Sequence, residues 1–370
     1  MSDAPQRRKP PAPLPLNVLT GFLGTGKTTL LNRLLKDPAL ANAAIIINEF
    51  GEVGLDHLLV EHIEDGVMLL STGCLCCTMR GDLIETMEKL LRGLDNGRMS
   101  FNRVIIETTG LADPAPVLHT AMVHPYLMMR FRLDGVITVV DAVNGSSTLD
   151  NHIEAVKQAA VADRIVLTKA DLAVETTALR ARLTALNPAA PIIEAKDATV
   201  AQLINCGLYD PDRKTPDVKR WLAEEAYAAA HDHHHHHHDV NRHDANIHAF
   251  ALTSDAPIPY SAFEMFLDLV RSMHGPNLLR VKGIVQLAET PDQPVVIHGV
   301  QHVFHPPATL SAWPDADHRT RLVFIVNGIE ERVIRDLFDA FRGAAGIDTP
   351  DRAALADNPL TPFSGADHLK

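Results

Sequence analysis

Two short stretches of this chain carry residue types spaced for chemistry. The first is Gly21-Phe-Leu-Gly24-Thr25-Gly26-Lys27-Thr28-Thr29, which follows the apolar run LNVLT and opens the helical pattern TTLLNRLLKD. A G-x-x-x-x-G-K-[ST] pattern between a strand and a helix is a phosphate cradle. Its glycines let backbone N–H groups turn around a β-phosphate, and the helix start adds its positive dipole end. Lys27 is predicted to reach the β- and γ-phosphates, and the Thr28 hydroxyl to bind Mg2+. The second stretch is Cys74-Leu75-Cys76-Cys77, after the apolar run VMLL and before the helical pattern GDLIETMEKLL. Thiolates at i, i+2 and i+3 in a turn can converge on one soft or borderline cation, and a following helix start favours the deprotonated form. Cys76 and Cys77 are adjacent, so two or three thiolates completed by another group are expected. A redox switch is the competing reading.

Acidic and base-reading residues surround the cradle. Strand RVIIE ends in Glu107-Thr-Thr-Gly110-Leu-Ala-Asp113, where Glu107 can hold Mg2+ through water and Gly110 lets a backbone N–H approach the γ-phosphate. The loop Asn48-Glu49-Phe50-Gly51-Glu52 follows another strand-like run, and either glutamate is a candidate for contacting Mg2+ or orienting the attacking water. Thr168-Lys169-Ala170-Asp171 directly follows the run IVL. A carboxylate at Asp171 can accept from guanine N1–H and its exocyclic amine, whereas adenine offers no such pair of donors. GTP is therefore the expected nucleotide. Thr168 stands where guanine-binding loops usually carry Asn, which loosens the expected base selectivity. For the metal site, Glu52 and His124 are candidate further ligands beside Cys74, Cys76 and Cys77.

A third cluster is His233, His234, His235, His236, His237 and His238, bracketed by Asp232 and Asp239, with His231 and His243 outside it. Eight imidazoles within thirteen positions form a multidentate, poorly organised site for Zn2+, Ni2+ or Co2+. A hydrophilic spacer is the plain alternative.

Apolar β-branched runs alternating with helical patterns predict the elements that hold these residues. LNVLT, AAIIIN, RVIIET, DGVITVVDA, IVL and APIIEAK read as continuous apolar strands, the signature of a parallel sheet covered on both faces. The expected class is α/β, a P-loop sheet with helices on both faces, followed by a small α+β domain. The expected divisions are a tail at 1–14, a nucleotide-binding domain at 15–210, a linker with the His tract at 211–246, an α+β domain at 247–345 and a tail at 346–370. In the α+β domain the strand IHAFALTS precedes a helix, three strand runs (LLRVKGIVQLA, PVVIHGVQHVFH, RLVFIVNG) and a closing helix.

Composition narrows the partners. The chain has 370 residues, 34 Lys+Arg against 46 Asp+Glu and a formal charge of −12, so affinity for nucleic acid phosphates or anionic lipid has no electrostatic basis. No uninterrupted apolar run approaches the roughly 20 residues needed to cross a bilayer, and the proline-broken start does not read as a signal peptide. A cytoplasmic location is expected. Four cysteines in a chain of this length do not form a disulfide framework.

GFLGTGKTT, NEFGEVGLD, GCLCC, ETTGLADP, GVITVVDA and TKAD, in this order, resemble the CobW-like family of P-loop GTPases, the zinc-regulated GTPase metalloprotein activators. LRVKG followed by HGVQHVF resembles that family's C-terminal domain, so the resemblance spans residues 15–345. It implies a GTPase that passes a transition metal, most often Zn2+, with Co2+, Ni2+ or Fe2+ as alternatives, from the C-x-C-C motif to a client metalloprotein. GTP hydrolysis would drive the transfer. No arginine finger is identifiable, so slow intrinsic turnover is expected. Cobalt handling in cobalamin synthesis, activation of a single metalloenzyme, and a non-catalytic zinc buffer stay open, as does a homodimer.

Overall fold

Strands rich in Val, Ile and Leu pair in parallel when helices can cover both of their faces, and the first half of the chain does this. The computed structural model describes residues 11–47, 60–62, 68–71, 79–206, 246–304 and 307–342. Strands β1 (Leu14–Gly21), β2 (Ala43–Ile47), β3 (Val60–His62), β4 (Met68–Ser71), β5 (Arg103–Glu107), β6 (Phe131–Asp141), β7 (Arg164–Thr168) and β8 (Ile192–Glu194) form one sheet in the order β3-β4-β2-β5-β1-β6-β7-β8. Every pairing is parallel except β3 with β4, at the edge.

Alternate residues of these strands enter different cores, as the pleat requires. Leu16 and Val18 of β1 join Val104 and Ile106 of β5 against α2 (Met79–Asp95) and α3 (Ala115–Val123), through Met87, Leu90 and Leu118. Leu19 and Ile105 face the other way, onto Leu30, Leu31 and Leu34 of α1 (Lys27–Leu34). The remaining helices of this half are α4 (Pro125–Arg130), α5 (Gly145–Asn151), α6 (Ile153–Ala160), α7 (Thr177–Leu186) and α8 (Val200–Leu203).

The second sheet is antiparallel. Its path is β12 (Val303–Phe304), β11 (Val295–Val300), β10 (Leu278–Val285), β14 (Thr320–Asn327) and β9 (Ile247–Ser254), with β13 (Ala308–Thr309) paired to β11. Helices α9 (Tyr260–His274) and α10 (Glu331–Arg342) cover one face, where Phe250, Val281, Leu322 and Phe324 pack on Phe266 and Phe338. The other face, with Ala249, Leu279, Ile284, Val323 and Ile325, packs on Val156, Leu179 and Leu183 of α6 and α7. The two halves therefore share a core. The run PVVIHGVQHVFH differs from the single strand expected: Gln301 takes a left-handed conformation (φ 54°) and folds it into the hairpin β11–β12. Among the described residues, no helix is long and apolar enough to cross a membrane.

Candidate functional site

Three glycines shape the loop from β1 to α1. Gly21 has φ 143°, and a Cβ there would lie 2.3 Å from the Val139 carbonyl oxygen, so glycine is required. Gly24 and Gly26 are left-handed, at φ 70° and 88°, and Gly26 stands directly before α1. No side chain caps this helix start, so its first N–H groups are available to an anion. Lys27 is 9% exposed, and its ammonium donates to the carbonyls of Gly21 at 2.9 Å and Phe22 at 3.2 Å. Thr25 ties the loop to itself, its hydroxyl donating to Phe22 O at 2.8 Å, while Thr29 is exposed.

Parallel register brings the next strand's acid to the cradle. Leu19 of β1 pairs with Glu107 of β5, and Thr28 Oγ1 donates to Glu107 Oε1 at 2.6 Å. A buried carboxylate and a hydroxyl beside a phosphate cradle are an oxygen donor set suited to a hard divalent cation. Glu107→Gln is expected to raise the Mg2+ concentration for half-maximal GTP hydrolysis by about tenfold or more; an unchanged Mg2+ titration would remove Glu107 from this role. Gly110 packs tightly against the phosphate loop. A Cβ there would lie 2.6 Å from Leu23 N, so the loop after β5 presses directly on the phosphate loop.

The loop after β7 is tied to the same structure. Asp141 of β6 pairs with Thr168 of β7, and Lys169, left-handed at φ 56°, donates to Asp141 Oδ2 at 2.7 Å and to Gly24 O at 2.9 Å. Burial alone would raise the Asp141 carboxyl, but Lys169, Asn144 and the amides of Val143 and Asn144 outweigh it and hold the group below its usual range. Thr168 Oγ1 donates to Thr25 O at 2.7 Å. Asp171 is exposed, close enough to Lys196 in the turn after β8 that its charge helps raise the Lys196 ammonium. There it comes after the larger effects of Glu194, by hydrogen bond and by charge, and of Asp197.

Glu49, Glu52, Cys74, Cys76, Cys77 and His233 to His238 lie outside the described residues. The strands leading to the glutamates and to the cysteines are aligned, since Ile47 of β2 pairs both with Glu107 of β5 and with Ser71 of β4. Segments 48–59 and 72–78 thus leave neighbouring strands at the edge that carries the phosphate loop. His124 is elsewhere. It links α3 to α4, with Nε2 3.9 Å from Glu88 Oε1, and Glu88 is nine residues into α2, on the order of 13 Å along the helix from its start. There it lines a cleft of about 790 Å3 between the two halves, with Met128, Phe263, Leu267 and His302. His124 is therefore not brought to the edge from which the cysteine segment departs. Among the described residues, no group of three or more His, Cys, Asp or Glu is arranged to hold a metal.

Several positioning residues have no short motif that could have announced them. Gln158 Nε2 donates to Gly110 O at 3.2 Å and Ala112 O at 2.9 Å, anchoring the loop after β5. Asp113 Oδ2 accepts from Lys157 at 3.1 Å and from Gln301 of the β11–β12 turn at 3.2 Å. The His119 ring contacts Val300 O at 2.9 Å through Nε2. The loop after β5 is thereby bonded to the second sheet.

A glycine cradle with an inward lysine, at the carboxyl edge of a parallel sheet, defines a P-loop nucleoside triphosphatase. Residues 15–194 match the family model of the CobW/HypB/UreG nucleotide-binding domain, and 247–342 that of the cobalamin synthesis protein CobW C-terminal domain. The zinc chaperone YjiA of Escherichia coli is 32% identical over 332 residues, 89% of this chain and 99% of its own. The zinc chaperone CobW of a Sinorhizobium species is 36% identical over 226 residues, 53% of this chain and 62% of its own. The crystal structure of Zn(II)-bound YjiA GTPase from E. coli superposes with a TM-score of 0.66 at 29% identity, covering 89% of this chain and 99% of that one. The chain belongs to the CobW family of P-loop GTPases.

Proposed function

We propose that this protein is a GTP-hydrolysing metallochaperone that holds Zn2+ at Cys74, Cys76 and Cys77 and releases it to a client metalloprotein under control of the bound nucleotide. The observation that carries the reading is the alignment of Ile47, Ser71 and Glu107. The segments bearing Glu49, Glu52 and the three cysteines spring from β2 and β4, next in the sheet beyond β5 and at the same edge as the phosphate loop, so a γ-phosphate and a thiolate-bound metal can act on the same segments. The names of the relatives support zinc as cargo. Mg2+ would be held by Thr28 and Glu107 and would neutralise phosphate charge. With His124 at the far end of α3, Glu52 is the preferred further zinc ligand. The tract His233 to His238 would gather metal ahead of the cysteine site.

The test is zinc affinity of the full chain, measured against a chromophoric chelator with a non-hydrolysable GTP analogue and with GDP. An affinity difference of about tenfold is expected, the scale of a common coupling energy. It should vanish in the Cys74→Ser, Cys76→Ser, Cys77→Ser triple variant. Equal affinities in the two nucleotide states would overturn the switch, and a triple variant that still binds zinc with nucleotide dependence would move the site elsewhere.

A further inference from the structure

Guanine presents two recognisable edges: donors at N1–H and the 2-amino group, and acceptors at N7 and O6. A protein reading both must supply an acceptor on one side and a donor on the other. In this chain the residue that follows strand β7, at the entrance to the base-reading loop, is Lys169, and the residue before it is Thr168, with one side-chain proton to give. That proton is already committed. Thr168 is 8% exposed, and its Oγ1 lies 2.7 Å from the carbonyl of Thr25 in the phosphate loop and 3.2 Å from that of Val140. Its backbone carbonyl accepts from Ala142 N at 2.9 Å, and a Cβ built on Gly26 would lie 3.9 Å from its γ-methyl, so the side chain is packed on the phosphate loop on that side as well. What remains on Thr168 Oγ1 is lone pairs, which a base acceptor does not bind. Lys169, the next donor in the loop, spans to Gly24 O and Asp141 Oδ2.

Resting on the guanine reading of this site, we infer that the protein recognises its nucleotide through the N1–H and 2-amino edge at Asp171 and gives N7 no hydrogen bond. Thr168 is a positioning residue, which ties strand β7 to the phosphate loop in place of touching the base. Selectivity is then concentrated in one edge. A purine altered at N7 is accepted as well as guanine, whereas one lacking the 2-amino group is penalised, since the carboxylate loses a charge-assisted partner.

The test uses the full chain with Mg2+ and displacement of a fluorescent GDP analogue by GDP, 7-deaza-GDP, IDP and ADP. The expected result is 7-deaza-GDP within about twofold of GDP, and IDP weaker by about tenfold or more, the range of a hydrogen bond to a charged group. Thr168→Val, nearly isosteric, should weaken GDP and 7-deaza-GDP by the same factor. Thr168→Asn, whose amide has two N–H groups, should keep one on Thr25 O and offer the second to N7, tightening GDP over 7-deaza-GDP by about threefold to tenfold. If wild-type protein binds 7-deaza-GDP ten times more weakly than GDP while still rejecting ADP, this inference fails and the guanine reading stands. If ADP binds as well as GDP, both fail.

Discussion

Lys27→Ala is expected to lower the single-turnover rate of GTP hydrolysis by at least about 100-fold, the scale seen when a preorganised donor is removed from developing transition-state charge. Lys27 is the first residue of α1, so its backbone belongs to the helix start while its ammonium turns back under the loop to Gly21 O and Phe22 O. With nucleotide bound, such a cation would meet the charge that shifts toward the β–γ bridging oxygen as the bond to the γ-phosphoryl breaks. Lys27→Arg should fail nearly as badly. The guanidinium is a wide planar fork, which does not replace a compact ammonium held by the carbonyls of Gly21 and Phe22. The defect should fall on the rate more than on stability, so a melting curve close to wild type must accompany it. A variant retaining more than a tenth of wild-type hydrolysis would remove Lys27 from the chemistry.

How much of this was legible in the sequence depends on whether a feature is local. The phosphate loop is, because backbone geometry at Gly21, Gly24 and Gly26 admits almost no other residue. The parallel sheet is legible for a related reason, since strands buried on both faces must be apolar throughout. Strand β10 (LLRVKGIV) breaks this rule, since all eight of its residues are buried although Arg280 and Lys282 are among them. The cover that α6 and α7 give the far face of the second sheet was therefore not legible, because Arg280 and Lys282 make the run read as half-exposed. The turn at Gln301 was not legible, because a left-handed non-glycine residue without Asn or Gly beside it carries no hairpin signal. Nor were Gln158 and Asp113, whose partners lie 44 to 188 residues away. His124 shows the limit of composition: histidine near an acidic loop in sequence reads as a ligand, and only helix length carries it to Glu88.

The second large effect lies where the halves of the molecule meet. Asp163, in the connection between α6 and β7, accepts from Arg280 Nη2 and from Lys282 Nζ, each at 2.7 Å on Oδ1, and from Val136 N at 2.9 Å on Oδ2. Arg280 also donates to Val161 O. Both cations stand on β10, 3% and 6% exposed, so one carboxylate holds two buried positive charges of the second sheet against the first. Asp163→Asn leaves those charges facing a neutral amide, and the expected cost is about 3–5 kcal/mol, the range for breaking a buried ionic cluster by removing one partner. Burial pushes the Asp163 carboxyl up, but the charges and hydrogen bonds of Arg280 and Lys282 outweigh it and hold the group far below the usual carboxylate range. A carboxyl lowered in the folded state contributes stability that is complete above its unfolded pKa, near 4, and is lost as the pH falls below that. Urea unfolding of the two proteins should therefore differ most at neutral pH, and the gap should close from about pH 4 downward. Asp163→Glu, which keeps the charge, should recover part of the loss at neutral pH. A difference under about 1 kcal/mol at pH 7, or a gap that widens in acid, would mean that the shared apolar core alone joins the halves.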